Sequence, residues 1–318
     1  MLPAASRPLP APLASTLHAV IAGPSEVRLI HITDPHLTTL DHWRPGLRSG
    51  KRWLSWLSWQ KGRRRRHLRS RLDALTDALQ LKEPEVWAIT GDLCQIGLDA
   101  EAAEAREWLD RLARPNQVLL VPGNHDIFAN DSSGPIHRRW ADYLHVSPDA
   151  AAWPVVRQFE DVALIGLNSA VVTPPLRAGG RLGEPMRERL EQVLAELKDS
   201  CRVVLIHHPP LPGTCKPRKA LSDNSQLTEI LRGHAPAMVL HGHLHHNQEW
   251  SLEGKDSAVT RVMCTASASA ADERDPASAR LFDIRKTDSG FAIEMETVGL
   301  DTKNRLRTLE RKRWNTPG

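Results

Sequence analysis

The stretch "AMVLHGHLHH" (237–246) decides how this chain is read. An apolar run of strand length breaks off into four histidines, as a buried strand does when it delivers polar side chains to the edge of a sheet. The same event recurs along the chain. "VRLIHIT" (27–33) runs into "DPH", "EVWAIT" (85–90) into "GD", "QVLLVP" (117–122) into "GNHD", and "RVVLIHH" (202–208) into "PP". "VALIGLN" (162–168) is a further buried run, and "VTRVMCT", "ARLFDI" and "FAIEME" follow in the last third. Helical periodicity falls at about 70–82, 99–113, 136–145, 186–199 and 223–232, with Pro185 suited to a first helical turn. Strands and helices alternate at first and strands dominate at the end, which makes this an α/β chain.

In open α/β sheets a site forms beyond the carboxyl ends of the strands, so five bursts of metal-competent side chains at five strand ends can converge in one cleft. The residues they offer are Asp34, His36, Asp92, Asn124, His207, His243 and His245. Asp34 and His36 are two residues apart, as are His243 and His245, and in extended backbone such pairs share a face. Gly91, Gly123 and Gly242 precede ligand candidates and permit sharp turns there. Seven ligands exceed what one tetrahedral zinc uses, but suit two ions with a carboxylate between them. The donors are nitrogen and oxygen without thiolate, which fits Mn, Fe, Zn or Co. Two divalent ions against two carboxylates leave a positive centre that attracts an anion.

Each histidine taken alone reads as a satisfied core or surface residue; the ordered set changes that reading. The series D-x-H (34–36), G-D (91–92), G-N-H-D (123–126), H-x-P (207–209) and G-H-x-H (242–245) resembles the calcineurin-like metallophosphoesterases, over roughly residues 27–270. The likeness is to the compact bacterial-type phosphodiesterase branch. It implies a four-layer αββα sandwich with a dinuclear metal site at the strand C-terminal edge. It also implies roles: Asp34, His36 and His245 on the first ion, Asp92 bridging, Asn124, His207 and His243 on the second, and His125 against the phosphate and leaving oxygen. The implied activity is hydrolysis of a phosphodiester or pyrophosphate bond in a nucleotide, cyclic nucleotide or lipid-linked phosphate. A catalytically silent scaffold on the same fold is the alternative. His207 is preferred to His208 by the H-x-P spacing, and His241 and His246 keep a structural reading. Asp41 and Asp126 are candidates to orient a histidine. The sequence departs from the family where Cys94 and Gln95 follow the second motif, which bears on the substrate rim rather than on the ligands.

With 318 residues and 41% hydrophobic content the chain can bury a sizeable core. No run approaches the roughly 18 to 20 apolar residues of a membrane-spanning helix. Cys94, Cys201, Cys215 and Cys264 form no CxxC pair, so neither a zinc knot, a disulfide framework nor a cysteine nucleophile is indicated, and a reducing cytoplasm is expected. Residues 1–24 read as a flexible Pro/Ala-rich leader, 25–300 as the catalytic domain, and 301–318 as a basic tail.

The net charge of +4 is unevenly spread: residues 44–72 hold eleven Arg or Lys and no Asp or Glu. Within this insert (44–71), "KRWLSWLSWQ" on a helical wheel leaves Lys51, Ser55 and Ser58 as its polar strip, too narrow for a solvated helix. Trp53, Trp56, Trp59 and the run Arg63, Arg64, Arg65 and Arg66 therefore suggest a cap packed on the domain, contact with an anionic membrane surface on the cytoplasmic side, or nucleic acid binding. The basic, Trp-ended "RLRTLERKRW" adds to the membrane reading.

Overall fold

The computed structural model describes residues 26–40, 43, 50–146 and 153–317. The Pro/Ala-rich leader, Asp41 and the first residues of the insert, 44–49, lie outside them. Two six-stranded sheets stack face to face. In the first, β1 (Glu26–Ile32), β2 (Val86–Ile89) and β3 (Val118–Leu120) are parallel, and β10 (Ser278–Thr287), β11 (Gly290–Leu300) and β12 (Leu306–Pro317) continue it antiparallel from β1. In the second, β5 (Val162–Gly166), β6 (Cys201–Leu205), β7 (Met238–His241) and β9 (Val259–Cys264) are parallel, flanked antiparallel by β4 (Val155–Phe159) and β8 (Gln248–Glu253).

Side-chain alternation along β6 shows how the layers arise. Val203 and Leu205 point into the cluster shared with the first sheet, while Val204 and Ile206 pack against Leu190 and Leu194 of α5 (Glu184–Glu196) and Leu227 and Leu231 of α6 (Asn224–His234). The first sheet is covered by α2 (Arg69–Gln80), α3 (Asp99–Leu112) and α4 (Ser133–Leu144), through residues such as Leu75, Leu109 and Trp140. The central strands of both sheets are thus buried on both faces, each fully buried aliphatic side chain contributing roughly 1.5–3 kcal/mol, and the architecture is the expected αββα sandwich.

The nine strands expected from sequence are present, and β4, β8 and β12 add to them among the described residues. All three newcomers lie at sheet edges. They face solvent along much of their length, so they never show the continuous apolar run that marks a buried strand. The last of them occupies most of the stretch read as a basic tail. Its cations are paired: Arg311 with Glu296, Lys312 with Glu249, and Arg313 with Glu294, while Arg307 reaches Asp301. Trp314 packs on the core beneath the Arg261 guanidinium, 4.5 Å from its ring centre.

The insert forms α1 (Gly50–Gln60), a short 3-10 turn over Arg63–Arg65, and an isolated bridge from His67 to Ala270. Its orientation differs from the wheel. Lys51 faces inward, donating to the Phe128 carbonyl at 2.9 Å and to Thr173 at 3.2 Å, with its ammonium 4.2 Å from the Phe128 ring centre. Arg52 donates to the Ile96 and Gly97 carbonyls and pairs with Asp131. Trp59 is only 3% exposed, in a small cluster with Leu40, Ile96 and Phe128 against which Trp56 also packs. It has no face to offer a membrane, and the outer surface of α1 is left to Trp53 and Leu54.

Candidate metal centre

Every sequence-derived ligand lies just beyond the carboxyl end of its strand: Asp34 and His36 after β1, Asp92 after β2, Asn124 after β3, His207 after β6, and His243 and His245 after β7. The two sheets are laced together there, because His243 N donates to Asp34 Oδ2 at 2.9 Å and Gly242 N to the His207 carbonyl at 3.1 Å. The i, i+2 pairs do reach the same region, but not from extended backbone. Asp34, His36, Asp92, His243 and His245 have φ of 49°, 40°, 57°, 70° and 61°, all left-handed. Such conformations cost of order 1–3 kcal/mol each and persist only where their surroundings hold them. Here backbone bonds do so, among them Asp34 N to the Gly91 carbonyl and His36 N to the Asp92 carbonyl, both at 3.0 Å. Gly91 is left-handed as expected, whereas Gly242 is needed for room: a Cβ there would sit 1.9 Å from Thr33 Oγ1 and 2.4 Å from Asp34 Oδ2.

The donor atoms fall into two groups that share one oxygen. Around Asp34, Oδ1 lies 3.0 Å from His245 Nε2 and 3.9 Å from His36 Nε2. Around His207, Nε2 lies 3.2 Å from Asn124 Oδ1, 3.2 Å from His243 Nδ1 and 3.4 Å from Asp92 Oδ2. Asp92 Oδ2 is also 3.8 Å from His36 Nε2, so it stands between the groups. The outer nitrogens fix the tautomers. His36 Nδ1 donates to the Cys94 carbonyl at 3.0 Å and His207 Nδ1 to the Thr90 carbonyl at 2.7 Å, which turns both Nε2 lone pairs toward the centre.

Lone pairs of nitrogen and oxygen thus converge in a buried place, and that arrangement requires positive charge at its middle. The titration behaviour says the same. Burial opposes ionisation of Asp92, yet His207 and His125 hold it well below the usual carboxylate range. Burial pulls His207 down, but Asp92 and the hydrogen bond to it outweigh that and lift it to about 9, while His243 is pushed well below its ordinary value by burial and its neighbours His208 and His207. A proton on His207 does in the bare protein what a cation would do. The donor set therefore fits two divalent ions, one within reach of Asp34, His36 and His245, one within reach of Asn124, His207 and His243, and Asp92 between them.

His125 sits at the rim, half-buried. Its backbone N–H donates to Asp92 Oδ1 at 2.7 Å and its Nδ1 to the Gln95 carbonyl at 2.5 Å, so chemistry at this ring falls to Nε2. Cys94 and Gln95 thus serve through their carbonyls, and the departure from the family's side chains leaves the orienting bonds intact. His208 offers a ring nitrogen within 4.8 Å of those of His207 and His243; its Nδ1 is 2.8 Å from Ser169 Oγ and its ring 4.8 Å from that of His243. His241 is buried against Trp250, and His246 pairs with Asp275 at the surface. Asp126 orients backbone rather than a histidine: it accepts from Asp92 N at 2.9 Å, Gly123 N at 2.8 Å and Cys94 N at 2.9 Å, tying two ligand loops together. Burial and the neighbouring Asp92 lift its own pKa to about 7.

One residue of the centre has no motif. His67, from the end of the insert, offers a ring nitrogen within 4.8 Å of those of His36 and His245, and its ring centre lies 4.4 Å from that of His36. Its Nδ1 is 3.0 Å from Ser269 Oγ and 3.2 Å from Ser267 Oγ, and Ser267 donates in turn to the Asp34 carbonyl at 2.7 Å. A lone histidine after four arginines carries no spacing signal that would have found it.

A layered α/β fold with such a donor set at its strand ends defines a metal-dependent phosphoester hydrolase. The chain belongs to the calcineurin-like phosphoesterase family, whose model matches residues 27–247. It is 27% identical over 257 residues to the 3',5'-cyclic adenosine monophosphate phosphodiesterase CpdA of Escherichia coli K12, covering 79% of this chain and 81% of that one. It is 28% identical over 189 residues to a probable cyclic nucleotide phosphodiesterase of Rhodococcus erythropolis, covering 57% of this chain and 58% of that one. The fold is shared with purple acid phosphatase PPD1 from yellow lupin seeds, at 12% identity and a TM-score of 0.55, over 92% of this chain and 54% of that chain. Among the described residues no helix is long and apolar enough to cross a membrane.

Proposed function

We propose that this protein hydrolyses a phosphodiester or diphosphate bond in a nucleotide-type substrate, using two divalent ions held by Asp34, His36, Asp92, Asn124, His207, His243 and His245. The observation that carries the reading is Asp92 Oδ2, which lies 3.8 Å from His36 Nε2 and 3.4 Å from His207 Nε2 and so is within reach of both groups of donors. When bound, the ions supply the Lewis acidity and the water-derived nucleophile that phosphoester cleavage needs. The residues do the rest. Asp126 holds the Asp92 and Asn124 loops in register, and the Cys94 and Thr90 carbonyls keep His36 and His207 in the ligating tautomer. His125, anchored through Nδ1 rather than Nε2, would give the leaving oxygen a proton or a hydrogen bond from Nε2. The relatedness to cyclic nucleotide phosphodiesterases supports a diester over a monoester, and the intact ligand set speaks against a silent scaffold. We place the enzyme in the cytoplasm, where its free cysteines stay reduced.

The test is hydrolysis by the purified protein with added Mn²⁺ of bis-p-nitrophenyl phosphate, p-nitrophenyl phosphate, 3',5'-cyclic AMP and a dinucleoside diphosphate. Faster turnover of diesters than of the monoester is expected. Failure on all four at several metal loadings would leave the scaffold reading.

A further inference from the structure

The cations of the insert divide into two kinds. Those near its ends are spent on anchoring: Lys51 and Arg52 bind the loops after β2 and β3, Arg69 pairs with Asp73, and Arg71 donates to the Leu300 and Asp301 carbonyls. Two in the middle are not. Arg64 and Arg65 are exposed and make no ion pair or side-chain hydrogen bond among the described residues. Both line a cleft of about 330 Å³, whose other walls include His67, Gln95 and Trp59 and which has no acidic lining residue among the described residues.

The cleft adjoins the metal centre directly. His67 forms part of its wall and has its ring 4.4 Å from His36 and 5.2 Å from His245, residues assigned above to the first ion. Gln95 forms another part, and its carbonyl holds His125. The insert is fastened here rather than loosely draped. His67 bridges to Ala270, Leu68 N donates to the Ser269 carbonyl at 2.8 Å, Ala271 N donates to the Arg66 carbonyl at 2.9 Å, and Trp59 is sealed into the domain. Two guanidinium groups therefore stand beside the candidate metal centre with no carboxylate among the described residues to neutralise them. Guanidinium groups match phosphate oxygens in geometry and charge, and an uncompensated pair in a cleft of this size selects an anionic ligand.

We infer that this cleft is a second anion subsite, in which Arg64 and Arg65 bind a phosphoryl group next to the one at the metal centre. The inference rests on the phosphoester-hydrolase reading and narrows it to substrates that carry two adjacent phosphoryl groups. His67 is the positioning residue that joins the two subsites. A substrate with a single phosphate fills only the metal side.

Inorganic pyrophosphate and orthophosphate are the probes, titrated calorimetrically into the Mn²⁺-loaded full-length protein at a fixed free Mn²⁺ concentration. Wild type is expected to bind pyrophosphate at least tenfold more tightly than orthophosphate. In Arg64→Gln/Arg65→Gln that preference falls below threefold, while orthophosphate affinity changes less than pyrophosphate affinity. Arg114→Ala/Lys198→Ala removes two exposed charges at the opposite edge, before β3 and β6, and keeps the wild-type preference. No preference in wild type, a preference retained in the Arg64/Arg65 variant, or an equal loss in the control variant would overturn the subsite. A parallel assay on bis-p-nitrophenyl phosphate, p-nitrophenyl phosphate, 3',5'-cyclic AMP and a dinucleoside diphosphate, read as hydrolysis of none of the four, separates the two claims. Absent hydrolysis with a preference that still depends on Arg64 and Arg65 sinks the enzymatic reading and leaves the subsite standing.

Discussion

Replacing Gly242 by Ala tests whether the centre is held by close packing between the two sheets. A Cβ at this position would lie 1.9 Å from Thr33 Oγ1 and 2.4 Å from Asp34 Oδ2, and real Cβ contacts essentially never fall under 3.0 Å. The hydroxyl must then retreat by at least 1.1 Å (3.0 − 1.9) and the carboxylate oxygen by at least 0.6 Å (3.0 − 2.4). Neither atom is a flexible chain end: Thr33 Oγ1 donates to Asp34 Oδ2 at 2.7 Å, and that oxygen also accepts from His243 N at 2.9 Å. Overpacking of this kind costs about 1–3 kcal/mol, and weakening a hydrogen bond to a buried carboxylate adds roughly 1–2 kcal/mol. Ligand distances tolerate only about ±0.2 Å, so a displaced Asp34 weakens the first ion by about 10- to 100-fold. Urea unfolding and Mn²⁺ titration of Gly242→Ala are expected to show a lowered midpoint and one weakened metal equivalent. An unchanged midpoint together with Mn²⁺ affinity within twofold of wild type would refute the packing argument.

Substituting His125 by Ala lowers kcat on bis-p-nitrophenyl phosphate by about 10²–10³-fold while both metal equivalents stay bound, if its Nε2 assists the leaving oxygen; a kcat within threefold of wild type by steady-state assay contradicts that role. Trp59→Ser destabilises the fold by about 3–5 kcal/mol because it empties a buried position, whereas Trp53→Ser at the outer surface of α1 costs less than about 1 kcal/mol, both read from urea midpoints. Lys51, lowered to about 8 by burial and by the neighbouring Arg52, sheds its proton earlier in the folded state than the unfolded value of 10.5 allows. The unfolded chain then binds more protons between these values, so this residue makes stability rise as pH climbs from about 8 to 10.5. After discounting for solvent screening the gain is about 1 kcal/mol, and Lys51→Met, followed by urea unfolding at pH 7.5 and 10, is expected to lack it.

The convergence of the candidate ligands was legible in the sequence because each follows an apolar run, and because the sheets bring strand ends together whatever happens in between. The backbone that aims them was not. Alternation suggested extended i, i+2 pairs, whereas Asp34, His36, His243 and His245 are left-handed, a conformation that Asp and His enter more readily than most residues but that contacts between distant loops must sustain. Edge strands escaped for a related reason. In β12 the Arg and Lys side chains that suggested a basic tail are the polar face of a strand, and their partners Glu249, Glu294 and Glu296 come from far along the chain. His67 was invisible because its meaning depends on where the insert folds back, at Ala270, some two hundred residues later.

The central claim is a pair of ions joined through Asp92. Its most direct test is electron paramagnetic resonance of the Mn²⁺-loaded protein alongside metal analysis. The account predicts two Mn²⁺ per chain with an exchange-coupled signal, and predicts that Asp92→Asn, which keeps the shape but removes the charge, abolishes the coupling. One isolated Mn²⁺ in wild type, or a coupled pair that survives in Asp92→Asn, would contradict it.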